Sequence, residues 1–550
     1  FQSQQAYLQD TNILQTSFEC KSGRAVLTDL FPVKDIESHP NEFWPDEEIL
    51  RILEVREGSI EFTLELLLRS QYGRCGLQLY RISDWGIKCD DGRKHFLLQT
   101  SLPNSTLKLS DTPLGQQVNA RFELRDGDRI FISLSYSDEA PSVMPPLQCA
   151  LDRLHHTVSY WQNWSALCPC QGPYRKIIQR SALALKLLNF APSGAVVAAP
   201  TTSLPEWIGG SRNWDYRFCW LRDASFTTRA LMRVGHYDEA KSFLQWLIQT
   251  TRLTWPRLQV LYNVYGEAKI RESRATWASG FRNSKPVRLG NLASTQLQLD
   301  VYGEVIDSFY HLAEYIEPID HETQKMVIGF GTAVAQLWEQ PDQGIWEFRT
   351  NPKHYTHSKV MCWVAMDRLS KLARRLNWRL PYNPGALAIK IRHTIESRAY
   401  HPLLNVYTRA LNEPELDASL LVMPLVGYCE ANEPRYLATQ TQIIHQLGKN
   451  GLIYRYPQGS DGFSEPEGAF TLCNFWLAEA FAKAGNLGEA EKWFNAVSCC
   501  LPPSGLSSEE LNPENREYLG NHPQGFSHIG LINAALAIEE LLEKKGKIPT

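Results

Sequence analysis

Apolar residues change their spacing near residue 140, and that change limits the fold more than any other feature of the sequence. Before it they recur at every second position, as in the segment 60–66, which is Ile-Glu-Phe-Thr-Leu-Glu-Leu. Turn dipeptides such as Asp126-Gly127 separate segments of this kind. Strands with this alternation, joined by tight turns, are typical of antiparallel sheets, most simply a β-sandwich.

Beyond Tyr174 apolar residues recur every three to four positions, as expected for one face of a helix. Phe243, Leu244, Leu247 and Ile248 form such a face. We predict twelve helices, at approximately 174–189, 222–235, 237–251, 296–316, 320–338, 358–376, 383–397, 417–430, 433–448, 468–484, 487–499 and 527–545.

The links between the predicted helices alternate in length. Those after the second, fourth, sixth, eighth and tenth helices are short, as at Gly235-His236 and Gly485-Asn486, and the others are long. This alternation predicts six helical hairpins in a closed ring whose long loops all emerge at one end. Because long ordered loops on a rigid scaffold commonly carry function, the functional residues are expected in them.

The two periods divide the 550-residue chain into domains, as its length also favours. We predict a β-sandwich domain at 1–145 and an all-α domain at 174–550. A helical linker is predicted between them, at 146–173, where the run Cys-Pro-Cys-Gln-Gly-Pro ends it.

Net charge and cysteine spacing narrow the class of protein. Lys plus Arg is 56 and Asp plus Glu is 60, a formal net charge of −4, so the chain lacks the basic field of a general nucleic-acid binder. No segment approaches about 18 consecutive apolar residues, so no membrane association is expected. The 12 cysteines lack Cys-x-x-Cys spacing, which favours buried free thiols and a cytoplasmic location. A signal removed upstream of residue 1 is the open alternative.

Cofactor and metal motifs are weak in this sequence. Gly329-Phe-Gly331 lies inside a helical run rather than after a strand, which argues against a dinucleotide site. His354 and His357 lack the intervening glutamate of the metalloprotease pattern, so we interpret both as core or surface histidines. Neither a cofactor nor a metal is expected.

Aromatic and charged residues concentrate in the first long loop, at 209–223. The whole chain has 16 Trp, 22 Tyr and 22 Phe, and flat aromatic faces suit sugar rings as well as protein cores. Arg222 and Asp223 end this loop at the start of a predicted helix. They could bind sugar hydroxyls with bidentate geometry, or they could form a structural ion pair that caps the helix.

A second candidate is Glu347, which stands between Trp346 and Phe348 in the fifth-to-sixth loop. If the two rings fold over the carboxylate, desolvation raises its pKa, as a general acid requires. The alternative is a surface glutamate paired with Arg349.

Further acids occupy two other long loops. The ninth-to-tenth loop contains Arg455 with Asp461, Glu465 and Glu467, and the eleventh-to-twelfth contains Glu509 and Glu510. Acids in loops are commonly just solvated. However, two glutamates that face one another across a pocket are the minimum equipment for glycoside hydrolysis.

Six segments of the helical part together resemble glycoside hydrolase family 15, which holds glucoamylases, bacterial exo-acting glucosidases and some bacterial and archaeal trehalases. The run Arg-Asn-Trp-Asp-Tyr-Arg-Phe-Cys-Trp-Leu-Arg-Asp at 212–223 is similar to the family's signature. The resemblance continues at 286–291, 296–304, 358–363, 467–470 and 520–528. It implies an (α/α)6 barrel preceded, as in prokaryotic members, by an N-terminal β-sandwich.

The resemblance also implies roles for individual residues. Glu347 matches the general acid and Glu509 the general base, with Glu510 as the alternative base. Members of the family invert the anomeric configuration, which requires the two carboxyls to be roughly 6.5–9.5 Å apart. The implied substrate-binding set is Tyr216, Trp220, Arg222, Asp223, Trp346, Arg455 and Glu510.

From this resemblance we expect a glucoamylase-like exo-hydrolase that releases β-glucose from the non-reducing end of α-glucans or oligosaccharides. The alternatives are a trehalase that uses the same site, or a non-catalytic glucan-binding or regulatory module. Fungal glucoamylases follow the acid with a second glutamate where Phe348 stands here, which weakens the expectation of maltose-type specificity. The expected partner is an α-linked glucose oligosaccharide or disaccharide, and homo-oligomerisation is left open.

Overall fold

A computed structural model describes residues 1–33, 47–90, 94–137, 146–252, 254–315 and 319–548. The chain forms two compact units, one of Phe1–Leu167 with Pro503–Gly505 and one of Cys168–Pro502 with Leu506–Thr550. The helix of the predicted linker, Ala150–Ala166, belongs to the first unit. The domain boundary predicted at residue 145 lies outside the described residues.

The first unit is built on antiparallel strands, as the alternation predicts. Ten strands share one hydrogen-bonded network in the order β1-β2-β3-β4-β12-β9-β8-β7, with β11 paired to β4 and β10 to β11. The strands are β1 (Gln2–Tyr7), β2 (Leu14–Cys20), β3 (Gly23–Leu30), β4 (Glu48–Leu66), β5 (Arg69–Ser70), β6 (Cys75–Gly76), β7 (Gln78–Ile82), β8 (Gly86–Asp90), β9 (His95–Thr100), β10 (Lys108–Thr112), β11 (Gly115–Arg125) and β12 (Arg129–Ser137).

The long strand β4 explains how one chain segment joins two sets of strands. Its first half pairs with β3 and β12, and its second half pairs with β11. In the β11 ladder Phe62 lies opposite Phe122, and their rings stack with centroids 5.9 Å apart. Apolar residues from both halves, such as Val55 and Ile60, join one buried cluster. The alternating pattern therefore produces the core of this unit.

The second unit is helical. It follows α1 (Ala150–Ala166) of the first unit, and eleven of the twelve predicted helices are α-helices within the described residues. Their bounds are α2 (Arg175–Leu187), α3 (Leu221–Arg233), α4 (Tyr237–Thr251), α5 (Asp300–Leu312), α6 (His321–Leu337), α7 (Thr356–Arg375), α8 (Pro384–Arg398), α9 (Pro434–Leu447), α10 (Thr471–Lys483), α11 (Leu487–Ser498) and α12 (Gly525–Lys544).

The prediction of an α-helix at 417–430 is wrong. The segment forms a short 3-10 helix, Ala418–Val422, followed by turns. Pro424 has no backbone N–H to continue a helix, and Gly427 adopts a left-handed φ of 75°. These two residues stop the periodic apolar pattern from forming an α-helix.

Contacts between the helices run in a closed cycle. α3 packs against α5, α5 against α7, and both α7 and α10 contact the 3-10 helix Ala418–Val422. α10 packs against α12, which returns to α3. The N-terminal ends of α3, α7, α10 and α12 follow loops that contain the candidate residues, so the cycle holds those loops in place.

The described strands of this unit are each two residues long. They are β13 (Asn189–Phe190), β14 (Ala195–Val196), β15 (Cys219–Trp220), β16 (Leu261–Tyr262), β17 (Ser273–Arg274), β18 (Arg288–Leu289), β19 (Tyr400–His401), β20 (Val406–Tyr407), β21 (Gly448–Lys449), β22 (Leu452–Ile453), β23 (Ala469–Phe470), β24 (Glu510–Leu511) and β25 (Tyr518–Leu519).

Helix α12 is long and apolar enough to cross a membrane, and it is the single helix of this kind among the described residues. However, 83% of its apolar window is buried inside the protein. It packs against α10, α2 and α3. Its apolar character is therefore explained by its position in the core of the unit.

Candidate active site

The loops before α3, α7, α10 and α12 contribute to one cavity of the helical unit. Its volume is about 780 Å³ including the open mouth. Eight of the nine predicted site residues line it, namely Tyr216, Trp220, Arg222, Asp223, Trp346, Glu347, Arg455 and Glu509. The remaining lining residues are Ala198, Glu206, Arg212, Trp214, Asn291, Ala293, Gln296, Ile345, Phe348, Arg349, Tyr456, Asp461, Phe463, Phe470, Gln524 and Phe526.

Arg222 and Asp223 lie in the first turn of α3, where a carboxylate is favoured by the helix dipole. Arg222 Nη2 is 3.0 Å from Asp223 Oδ2, and Nη1 donates a 2.8 Å hydrogen bond to the carbonyl of Ile345. The guanidinium lies over the ring of Phe526, 4.9 Å from its centroid. Burial raises the pKa of Asp223 to about 6, and the Arg222 charge opposes that rise. The predicted structural ion pair exists, and it also faces the cavity.

Glu347 is held in the cavity by two donors from the signature run. Its Oε1 accepts a 2.6 Å hydrogen bond from Trp220 Nε1 and lies 3.4 Å from Arg222 Nη1. Its side chain is 21% exposed, so the carboxylate is accessible from the cavity.

The backbone of Glu347 is in the left-handed region, with φ 59°. Such a conformation costs of order 1–3 kcal/mol for a non-glycine residue and persists where surrounding contacts fix it. Here Gln296 Nε2 donates a 3.1 Å hydrogen bond to the Glu347 carbonyl, and the Glu347 amide donates one of 3.1 Å to the carbonyl of Gly344. The loop therefore aims this one carboxylate by a strained backbone.

The two rings beside Glu347 contact groups other than its carboxylate. Trp346 Nε1 donates a 3.0 Å hydrogen bond to Asp417, and its ring packs edge-on against Phe470. Phe348 stacks on Tyr355 with centroids 5.3 Å apart. The two rings thus anchor the loop on either side of the glutamate.

The alternative partner for Glu347, Arg349, bonds elsewhere. Arg349 Nη2 donates a 2.8 Å hydrogen bond to Glu272, and its guanidinium lies 4.3 Å from the ring centroid of Trp214. The cation beside Glu347 is Arg222. The structural alternative of a Glu347–Arg349 pair is therefore wrong.

Glu509 is the second carboxylate of the cavity and is 1% exposed. Tyr216 donates a 2.6 Å hydrogen bond to its Oε1, and the amide of Asn521 donates one of 3.4 Å to its Oε2. Burial raises the pKa of Glu509 to about 7, while the Arg455 charge and the Tyr216 hydroxyl oppose the rise. A Cβ at Gly520 would lie 2.5 Å from Glu509 Oε2, so a glycine is needed beside the carboxylate.

Glu510, the alternative base, is not among the described residues that line the cavity. It begins β24, where neighbouring side chains point to opposite faces. Its Oε2 accepts a 2.8 Å hydrogen bond from the Gly468 amide, and its Oε1 is 3.4 Å from Arg455 Nη2. Of the adjacent pair, it is Glu509 that reaches the cavity.

Glu206 is a cavity carboxylate that sequence reasoning missed. It is fully buried, and its Oε2 accepts a 2.8 Å hydrogen bond from Arg455 Nη2. Burial raises the pKa of Glu206 to about 8, and the charge of Glu509 adds to that rise. A single acid in a loop carries no periodic or paired signal. Its place between Pro205 and Trp207, just before the signature run, was the one available clue.

The remaining loop acids form an ion-pair network with two buried arginines. Arg455 also bonds Glu467, with Nη2 2.8 Å from Oε2. Arg212 bonds both oxygens of Asp461, at 2.9 and 3.0 Å. Glu465 accepts a 3.2 Å hydrogen bond from Ser211. The expectation that such acids are merely solvated therefore does not hold for Asp461 and Glu467, which are buried.

Two buried groups of side chains could supply metal ligands among the described residues: Glu206, Glu467 and Glu510, and separately Asp300, Glu304 and His357. The guanidinium of Arg455 lies within 3.4 Å of all three glutamates of the first group. That cation already provides the positive charge which an ion would bring. The first group is accordingly a salt-bridge cluster.

Comparisons with known proteins bear on this cavity. Residues 172–536 match the family model described as Glycosyl hydrolases family 15. The chain is 32% identical to a trehalase of Mycobacterium tuberculosis, over 98% of this chain and 81% of that protein. It is also 32% identical to a trehalase of Thermoplasma volcanium, over 98% of this chain and 85% of that protein. A bacterial glucoamylase complexed with acarbose superposes with a TM-score of 0.71 at 13% identity, covering 99% of this chain and 87% of that one.

Proposed function

Because the chain belongs to glycosyl hydrolase family 15 and is a glycoside hydrolase, we propose that its substrate is α,α-trehalose, which it cleaves into two glucose molecules. The support is that relatives named trehalase match over nearly the whole chain. This favours the trehalase alternative over the glucoamylase-like function expected from the sequence. Membership of a hydrolase family argues against the alternative of a non-catalytic glucan-binding or regulatory module.

The residue that follows Glu347 also favours trehalose. In fungal glucoamylases, which this chain resembles, a glutamate at that position serves the second sugar. Here the position is Phe348, which is 3% exposed and stacked on Tyr355. An apolar buried ring offers no hydrogen bond to the hydroxyls of a second, 4-linked glucose, so a different second sugar is supported.

The catalytic roles rest on one observation: Glu347 and Glu509 line the same cavity, and each accepts a hydrogen bond from an aromatic residue of the signature run. Glu347, the more accessible carboxyl, protonates the bridging oxygen as it leaves. Glu509 removes a proton from the water that attacks the anomeric carbon. Glucose from that side is released as the β-anomer, because attack comes from the face opposite the departing oxygen.

Substrate binding is assigned to groups around the acid. Arg222 and Asp223 hold hydroxyls of the glucose whose bond is cleaved, and Arg455 contributes a further donor from the other side of the ion-pair network. Tyr216, Trp220 and Trp346 supply the aromatic walls against which an apolar sugar face packs. Glu510, outside the cavity, acts indirectly through Arg455.

The proposed architecture is the one that the family resemblance implies. The closed cycle of helix contacts is assigned to an (α/α)6 barrel, in which Ala418–Val422 replaces one inner helix. The strands of the first unit are assigned to a β-sandwich. The superposition with a bacterial glucoamylase over 99% of this chain supports both assignments.

The test is glucose release compared across α,α-trehalose, maltose, isomaltose, nigerose, kojibiose and longer α-glucans. We expect kcat/KM for trehalose to exceed that for every other substrate. Higher kcat/KM for maltose or longer glucans would return the function to a glucoamylase. The double variant Glu347→Gln/Glu509→Gln is the control that removes any contaminating activity from the comparison.

A further inference from the structure

Helices α5 and α7 bring three ionisable side chains together next to the cavity but outside its lining. Asp300 and Glu304 lie one turn apart on α5, and His357 is the second residue of α7. Asp300 is 0%, Glu304 1% and His357 3% exposed. One ligand atom of each residue lies within 4.8 Å of the other two.

None of the six side-chain oxygen and nitrogen atoms of these residues has a hydrogen-bond partner within the described part of the chain. Both ring nitrogens of His357 are unpartnered, so the missing hydrogen bonds are not confined to the two acids. Its Nδ1 points to the acids, 3.9 Å from Asp300 Oδ2. Burying a polar atom without a partner is costly, and burying two carboxyls and an imidazole in this way is more so.

The neighbouring charges do not balance this group. The charge of Arg222 acts on all three side chains, but Arg222 already pairs with Asp223 and contacts Glu347. One guanidinium therefore serves two carboxyls before Asp300 and Glu304 are counted.

We propose that Asp300, Glu304 and His357 bind one divalent first-row transition-metal ion. Two carboxylate oxygens and one imidazole nitrogen form a donor set that Mn²⁺, Co²⁺ and Zn²⁺ accept, whereas Mg²⁺ and Ca²⁺ prefer oxygen alone. Ligands with bonds of about 2.0–2.2 Å to one ion lie at most about 4.4 Å apart, so small side-chain rotations bring this group into range. The ion links α5 to α7. It also supplies the positive charge that Asp300 and Glu304 do not obtain from Arg222.

The ion is a structural support in this proposal and takes no part in bond cleavage. Metal binding does not depend on the identity of the sugar substrate, because the ligands lie outside the cavity lining. A metal at this place is contrary to the expectation, drawn from the sequence, that the protein binds none. His357 was compared only with a metalloprotease pattern, and its two partners lie more than 50 positions earlier in the chain.

The experiment uses full-length protein stripped with EDTA and then equilibrated with Mn²⁺, Co²⁺ or Zn²⁺. Elemental analysis after gel filtration is expected to show one equivalent of metal per chain. Binding is also expected to raise the unfolding temperature, since the ion binds the folded state alone. Co²⁺ is expected to give visible d–d absorption bands. If the stripped wild-type chain takes up no metal and its unfolding temperature does not change, the proposal is wrong.

Matched variants locate the ion. Asp300→Asn and His357→Gln are expected to lose the bound equivalent and the Co²⁺ bands, while His354→Gln, three positions from His357, keeps both. Glu206→Gln tests the other acidic group and is also expected to keep one equivalent. Loss of the metal in Glu206→Gln with retention in Asp300→Asn would overturn the assignment. If Asp300→Asn does not fold, His357→Gln and the wild-type spectrum decide the question.

Discussion

The two carboxylates of the cavity have opposite surroundings. Glu347 is 21% exposed on a strained loop and is held by one indole and one guanidinium. Glu509 is 1% exposed and adjoins a dense network of buried acids and arginines. Two glutamates of one cavity therefore differ in exposure and in the charges around them, as the proposed roles of acid and base require. The first is accessible to a leaving group, while the charge of the second is set by its neighbours.

Removing either carboxyl is expected to have the largest effect. We expect Glu347→Gln and Glu509→Gln each to lower kcat for trehalose by about 10³-fold, since general acid or base catalysis typically contributes 10²–10⁴-fold. Steady-state glucose release measures the loss. Glu396→Gln, a control outside the cavity whose carboxylate accepts from Tyr428, is expected to retain activity.

α-Glucosyl fluoride separates the two roles, because fluoride leaves without being protonated. Glu347→Gln is therefore expected to hydrolyse it at a rate near that of the wild type, while Glu509→Gln is not. Equal loss in both variants would contradict the assignment of Glu347 as the acid.

The charge network around Glu509 is the next target. In Arg455→Gln the buried Glu206, Glu467 and Glu510 lose their shared cation, which we expect to cost about 3–5 kcal/mol of folding free energy. Calorimetric unfolding temperatures measure the loss. Lys390→Gln is the control, because Lys390 and its partner Glu339 are both 63% exposed, and it is expected to change stability by less than about 1 kcal/mol.

The pH dependence of that loss has a definite sign. Burial raises the pKa of Glu206 to about 8, so Glu206 is largely protonated in the folded state at low pH. It ionises as the pH rises through that value, and without Arg455 the new charge is uncompensated. Without Arg455 the folded-state pKa of Glu206 lies higher still, so the stability difference between Arg455→Gln and wild type is expected to be nearly constant below about pH 7 and to grow as the pH rises through about 8. A difference that shrinks over this rise would show that Arg455 does not compensate these acids.

A smaller effect is expected from the hydroxyl that binds Glu509. Tyr216 donates to the carboxylate and so favours its charged form. The pKa of Glu509 is about 7, and the base must be ionised, so kcat/KM is expected to rise with pH through that value. Tyr216→Phe is expected to move this limb upward by about one pH unit. Tyr436→Phe removes a buried hydroxyl bonded to the Leu421 carbonyl and serves as the control. An unchanged limb in Tyr216→Phe would contradict the role of Glu509 as the base.

The smallest effect concerns the indole that binds Glu347. Trp220→Phe keeps the aromatic wall but removes the 2.6 Å N–H donor. We expect kcat to fall about tenfold, the equivalent of one charge-assisted hydrogen bond, with the acidic limb of the pH profile unmoved. Trp246→Phe removes an indole donor bonded to the Val264 carbonyl, outside the cavity, and is the matched control. A shift of the limb in Trp220→Phe would show that the two carboxylates are not independently tuned.

Much of the fold could be predicted because period and turn chemistry are local properties. The alternation at 60–66 predicts β4, and the apolar face of Phe243 and Leu247 predicts α4. The segment at 417–430 was mispredicted because its apolar residues have helical spacing, while Pro424 prevents the continuous hydrogen bonding of an α-helix.

The candidate site was predictable where its residues are adjacent in sequence. The run at 212–223 carries Tyr216, Trp220, Arg222 and Asp223 together, and the structure places all four in one cavity. Hydrogen bonds between distant residues were not predictable. Trp220 and Glu347 are 127 positions apart, and nothing in the local pattern of either indicates the other.

The central claim is that this hydrolase cleaves trehalose with inversion, using Glu347 as acid and Glu509 as base. Proton NMR of the first glucose released from α,α-trehalose, recorded before mutarotation, tests it most directly. Inversion at one anomeric carbon yields one β-glucose, and the departing sugar keeps its α configuration, so equal amounts of the two anomers are predicted. Release of α-glucose alone would contradict inversion, and no release of glucose would contradict the proposed substrate.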